Sequence, residues 1–223
     1  MAQRLANCCN QWAVSHDLTL TPLQPQAKTL EEGLLTALGE CQPSYVLLGA
    51  PLIREGDQAT LTAFVRRAKR LNAAIPGHLI IARFHEPLLR GQILVPLTGP
   101  INLQPLGHLA RALAQLHQAE LTLAHLLPRG ATVADHHAAS ALLRNAAESS
   151  GLAGQCQFRV EAHDDVVEGL LELSGEYEAM ILGAPSRQTL RRRLYGSIPE
   201  QVTRWARCSV YVVRAGTNGE GGR

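Results

Sequence analysis

Two stretches of the chain repeat one another. Glu32-Gly-Leu-Leu35 leads into Tyr45-Val-Leu-Leu-Gly-Ala-Pro51, and Glu168-Gly-Leu-Leu171 leads into Ala179-Met-Ile-Leu-Gly-Ala-Pro185, with spacings that differ by only two residues. In each copy, leucines at helical spacing precede a short apolar run that stops at Gly-Ala-Pro, the order expected of a helix feeding the strand it covers. Each copy then offers a further helix and a terminal strand: Leu61 to Asn72 with His78 to Arg83, and Ile198 to Arg207 with Val210 to Arg214. Repetition on this scale confines the chain to related α/β units stacked in one polypeptide.

The second unit reads as complete. It opens with strand Gln92 to Leu97, continues through helix Leu103 to Gln118, strand Glu120 to Leu127, helix Thr132 to Ser149 and strand Gln157 to Glu161, and then enters the repeated elements. Strands alternating with helices predict an α/β fold: an open parallel sheet with helices on both faces, Rossmann-like. The first unit begins midway, because Asn7 to Val14 corresponds best to the helix around Asn145 to Leu152; its opening strand, helix and second strand are missing. An open sheet deprived of central strands needs them from elsewhere, so the chain is expected to be a portion of a longer protein. The expected divisions are a partial unit at 1–90, a complete unit at 91–215 and a disordered tail at 216–223, with Pro87 and Gly91 punctuating the boundary.

Between the last two strands lies the segment richest in chemistry. Strand Ala179 to Leu182 ends in Gly183, Ser186 follows, and after nine residues that include Arg191-Arg192-Arg193 the chain reads Gly196-Ser197 and turns into a helix with Pro199 in its first turn. Glycine lets backbone N–H groups approach an oxyanion, the helix start adds partial positive charge, and a serine hydroxyl donates to the same oxygen. The glycines alone fit a tight turn equally well. The strand, loop and helix order around them favours phosphate.

Composition narrows the alternatives. The chain is 46% hydrophobic and 18% charged over 223 residues, enough for a substantial core. A net charge of +2 and 4% aromatic content argue against nucleic acid as a partner. Five cysteines without a C-x-x-C pair predict free thiols in a reducing compartment, and no apolar run approaches the roughly 20 residues of a membrane span. A soluble, cytoplasmic chain is expected.

The loop, its spacing and the βα order resemble the universal stress protein family, whose members carry G-x-x-G, nine residues and G-[S/T] between the fourth strand and helix. Here that pattern stands as Gly183-Ala-Pro-Ser186, nine residues, Gly196-Ser197. The resemblance runs through Gln92 to Arg214, with Leu18 to Arg83 as a partial second copy, and implies an adenine-nucleotide site at the carboxyl edge of the sheet and a homodimer formed through the last strand. Carried over, Gly183, Ser186, Gly196 and Ser197 would surround phosphates, Arg187 or Arg191 would pair with them, and Thr98 and Leu126 would border the adenosine. Strand core is the competing reading of Leu126. Two departures stand out. Ser186 replaces the second loop glycine, and Leu97-Thr98-Gly99 replaces the aspartate that nucleotide-binding relatives carry after the first strand, which leaves magnesium open. The first copy, Gly49-Ala-Pro-Leu52, has no Gly-Ser pair at the required spacing and reads as non-binding.

No Walker lysine loop, G-x-S-x-G, H-E-x-x-H or catalytic cysteine signature is present, so no enzyme activity is expected. The adjacent His136-His137 point to different helix faces and make a poor chelate, so no metal site is expected; an aspartate of His163-Asp164-Asp165 is expected to cap the helix from Val166. The leading expectation is a non-catalytic regulatory module binding ATP, ADP, AMP or cyclic di-AMP, whose occupancy orders the 187–195 loop and passes through a dimer interface. Such tandem modules are similar to cytosolic extensions of ion or solute transporters such as cation/proton antiporters, at the cytosolic face of the membrane. A degenerate, non-binding dimerisation scaffold and a slow ATPase are the alternatives.

Overall fold

The β-branched and leucine-rich runs that read as strands become seven strands of one sheet: β1 (Tyr45–Gly49), β2 (His78–Arg83), β3 (Gln92–Pro96), β4 (Glu120–Leu127), β5 (Cys156–Ala162), β6 (Ala179–Gly183) and β7 (Ser209–Arg214). The computed structural model describes residues 13, 14, 17–21, 23, 26–49, 75, 77–85, 91–97, 102–184 and 198–216. The expected helix Leu61 to Asn72, most of the segment Asn7 to Val14 and the tail beyond Gly216 lie outside them. The chain divides into two compact units, Met1–Gln42 and Pro43–Arg223. Both repeats therefore contribute strands to the second of these units, although the repeat boundary was expected near residue 90.

In the first compact unit, α1 (Leu30–Cys41) starts at Thr29, whose hydroxyl accepts the Glu32 N–H at 3.1 Å. The Glu32 carboxylate in turn accepts the Lys28 N–H at 2.9 Å. The helix ends where Gln42 turns left-handed with φ 43°.

The second unit carries α2 (Leu103–His117), α3 (Val133–Ser150), α4 (Val166–Leu173) and α5 (Ile198–Trp205). Its sheet order is β1-β2-β7-β6-β3-β4-β5, and every adjacent pair runs parallel except β2 and β7. Successive side chains along a strand face opposite ways. Ile93, Val95, Leu121, Leu123 and Ile181 form one core with α2 and α3. Leu126 faces the other way, under α4, because Gly169 leaves room there for the Leu126 methyl and the His163 ring. Helices cover both faces, as the alternation of elements predicts.

The antiparallel joint relates the two repeats by a pseudo-twofold axis. Tyr45↔His78 through Gly49↔Ala82 in the first copy matches Ala179↔Ser209 through Gly183↔Val213 in the second. Across the joint, Leu79↔Arg214 has its mate in Arg83↔Val210, Ile80↔Val213 has its mate in Ala82↔Tyr211, and the Ile81↔Val212 pair lies on the axis. Hydrogen bonds obey the same symmetry. The His85 N–H donates to Ser209 Oγ at 3.0 Å, and the Gly216 N–H donates to His78 Nδ1 at 3.2 Å. The strand that the family resemblance makes a dimer edge is thus engaged within the chain by β2.

This pair of hydrogen bonds differs chemically across the axis, since a histidine stands where its mate is a serine. To accept the Gly216 N–H, His78 Nδ1 must be unprotonated. Burial first, and then the nearby His108, hold the His78 pKa below the usual histidine value. Tyr45 also packs on this ring, with centroids 5.0 Å apart, and its hydroxyl meets His108 Nδ1 at 2.9 Å. A pKa depressed by folding contributes stability above the unfolded value of about 6.5, and that contribution is lost as pH falls through the folded value. Acidification from neutral to mildly acidic pH is therefore expected to lower the melting temperature of the wild-type chain more than that of His78→Ser, which installs its mate's acceptor. Parallel pH profiles for the two proteins would refute the assignment.

Candidate functional site

An open α/β sheet binds ligands outside the carboxyl ends of its strands, where the strand order reverses. Here that point lies between β3 and β6. The chain passes from β3 to β4 and β5 on one side of the sheet, then returns to β6 and β7 on the other. The two central strands stay paired only through Ile93↔Ala179 and Leu94↔Met180. Beyond Leu94 and Met180 they part, and each follows its outer neighbour. The Leu97 N–H donates to the Ala124 carbonyl of β4 at 2.8 Å, and the Ala184 N–H donates to the Val213 carbonyl of β7 at 2.8 Å. Pro96, which has no N–H, stands on β3 at this divergence. The result is a crevice with Leu97 on one wall and Gly183-Ala184 on the other.

Gly183 is the buried last residue of β6. Leu126 lies near the carboxyl end of the neighbouring β4, 8% exposed and packed under α4, so its side chain belongs to the core. Thr98, Ser186, Arg187, Arg191, Gly196 and Ser197 lie outside the described residues. Thr98 directly follows the β3 wall in the chain. The others belong to the segment that leaves the β6 wall and enters α5 at Ile198.

Several residues that sequence reasoning did not assign to the site fix the carboxyl edge. His125, the only ring in the apolar strand Leu121 to Leu127, donates Nδ1–H to the Leu97 carbonyl at 2.9 Å and so braces the β3 wall. A polar side chain inside an apolar strand was the signal that could have found it. Asp164 accepts the Arg129 N–H at 3.0 Å and ties the turn after β4 to the turn after β5. Asp165 caps α4, as expected of that turn, by accepting the N–H groups of Val167 at 2.7 Å and Glu168 at 2.9 Å.

A second concavity of about 920 Å³ lies between α4 and α5. Among the described residues its walls include Asp164, Asp165, Glu168 and Glu172, with Arg207 as the one cation. The field of these described residues opposes a phosphate. At the carboxyl end of β7, Arg214 lies close enough to Glu200 of α5 to feel its charge; burial draws the guanidinium pKa down while Glu200 works against that shift.

A search of curated proteins finds no match. Among solved structures, a universal stress protein from Archaeoglobus fulgidus DSM 4304 is 15% identical and superposes with a TM-score of 0.62, covering 97% of this chain and 77% of the other. A protein of unknown function from Pseudomonas aeruginosa PAO1 is 16% identical with a TM-score of 0.58, covering 96% and 78%. The cytoplasmic domain of a prokaryotic cation chloride cotransporter is 14% identical with a TM-score of 0.54, covering 84% and 71%. At these identities the likeness is one of fold. The sequence model of one family matches residues 90–214, more than half of the chain and the whole of the second repeat, and by that match the chain belongs to the universal stress protein family.

Proposed function

We propose that the chain is a non-catalytic regulatory module that binds an adenine nucleotide in the crevice between β3 and β6. The observation that carries the reading is the divergence of these strands after Leu94↔Met180, at the end of β6 where Gly183 stands and from which the chain runs on to Gly196-Ser197 and α5. Phosphates would lie against the glycines and Ser197, with Arg187 or Arg191 neutralising them. Family membership supports an adenine nucleotide as the guest. The likeness of fold to a transporter's cytoplasmic domain motivates a regulatory role at the cytosolic face of an ion or solute transporter.

Occupancy would be transmitted through the β2–β7 joint, because β7 continues the hydrogen-bonded wall of the crevice through Val213. A homodimer of this chain would then use a surface other than β7.

Calorimetric titration with ATP, ADP, AMP and cyclic di-AMP, with and without magnesium, tests the proposal. Micromolar binding of one of them is expected, without phosphate release from ATP. No heat with any of the four would turn the reading to an assembly scaffold, and phosphate release that a Gly196→Val/Ser197→Ala protein lacks would turn it to a slow ATPase.

A further inference from the structure

The ends of the three strands around the crevice are almost wholly apolar. Pro96 and Leu97 close β3, Gly183 and Ala184 close β6, and Leu126 and Leu127 close β4. A small-molecule site of this composition leaves orientation to a few placed polar groups. Among the described residues of these strand ends, His125 carries the one side chain that forms hydrogen bonds.

The geometry settles which ring nitrogen is free. The β3–β4 ladder ends at Pro96↔Ala124, and one step further the Leu97 carbonyl is met by His125 Nδ1 at 2.9 Å. A carbonyl only accepts, so Nδ1 carries the proton and the neutral ring keeps an unprotonated Nε2. Among the described residues no polar atom meets Nε2, and the side chain is half-buried. The lone pair would also suit a metal ion, but no group of three His, Cys, Asp or Glu stands together among the described residues to complete one. A hydrogen-bond donor on an organic ligand is the guest this nitrogen fits.

We propose that His125 Nε2 accepts a hydrogen bond from the 6-amino group of the bound adenine and thereby selects the base, an inference that rests on the nucleotide reading above. With phosphates near Gly183 and the start of α5, the ligand extends across β3 toward β4. His125 lies two strands from β6, about 10 Å at the usual strand spacing, and so meets the end of the ligand farthest from its phosphates, which is the base. The 6-amino group is the donor that adenine offers, since its ring nitrogens accept. Guanine has a carbonyl oxygen on the same carbon, and two acceptors would then face each other. Thr98 stands where relatives carry aspartate, so the chain sets no carboxylate after β3 to take the donor instead.

Calorimetry on the full chain with ATP and with purine riboside 5′-triphosphate, which lacks only the 6-amino group, tests the assignment. The wild-type chain is expected to bind the analogue about tenfold more weakly. His125→Asn keeps an N–H for the Leu97 carbonyl and removes the second ring nitrogen. It is expected to bind ATP about tenfold more weakly than wild type and to bind the two ligands alike. A brace without a role in recognition would weaken both ligands equally and leave the preference in place. Equal binding of the two by wild type, or a preference that survives in folded His125→Asn, would overturn the proposal and leave the nucleotide reading standing; binding of neither by wild type would overturn both. Ring ¹⁵N resonances need no variant: ATP is expected to shift Nε2 of His125 and the analogue to leave it in place. An Nε2 resonance that ATP does not move would overturn the proposal.

Discussion

Gly107→Ala is expected to destabilise the protein by about 2 kcal/mol and to lower the melting temperature by about 4–8 °C. Gly107 is buried in α2, where that helix crosses the end of α3. A Cβ built there would collide with the Ser150 carbonyl and lie 2.6 Å from Ser150 Cβ. In an exposed helix the same substitution stabilises by about 1 kcal/mol, because alanine is the better helix former. The clash wins here because Ser150 has nowhere to go. Its hydroxyl donates to the Ala146 carbonyl at 2.7 Å, the following Gly151 is fixed in a left-handed cap with φ 70°, and the Leu152 N–H donates to the Ala147 carbonyl at 2.8 Å. Overpacking against backbone that cannot retreat costs about 1–3 kcal/mol, and the strain spreads into the helix pair that roofs one face of the sheet. Thermal unfolding followed by circular dichroism decides the matter. An unchanged or raised melting temperature would show that α2 and α3 are not packed this closely.

Gly196→Val is expected to weaken nucleotide binding about 100-fold or more, which corresponds to about 2.8 kcal/mol of lost binding free energy. Gly196 and Ser197 immediately precede Ile198, where α5 begins, so the backbone N–H groups offered to a phosphate are those that a branched side chain at residue 196 would crowd. By sequence, residue 196 belongs to the loop ahead of α5 and not to an apolar run. The melting temperature without nucleotide is therefore expected to stay constant, while the rise produced by nucleotide disappears. Retained affinity in the valine variant would remove this loop from the site, and loss of the fold would show that the segment has a structural role in place of a binding one.

Some elements of the fold are fully legible in the sequence because their causes are local. Thr132 and Asp135 make a reciprocal capping box at the start of α3, with the Thr132 N–H donating to Asp135 at 2.7 Å, and Asp165 caps α4 from the turn that announces it. The short apolar runs from β3 to β7 become strands within a residue or two of where their composition places them. The repeated Glu-Gly-Leu-Leu helices behave less uniformly. Leu170 is fully buried whereas its mate Leu34 is half-buried, and Leu35 is 39% exposed where its mate Leu171 is half-buried. Identical short motifs do not guarantee identical burial, because burial depends on what the rest of the chain brings to the helix.

For the candidate site, the sequence by itself determined the family, the parallel α/β order and the presence of a Gly-Ser pair at a helix start, since these follow from spacing and short-range pattern. Only the tertiary structure decided that β2 joins β7 in antiparallel register, that β3 and β6 part after two pairs, and that Leu126 packs under α4. An apolar strand specifies that it will be buried but not by which neighbour. That choice belongs to residues more than 100 positions apart in the chain, such as Ile81 and Val212, and is made only when the sheet assembles.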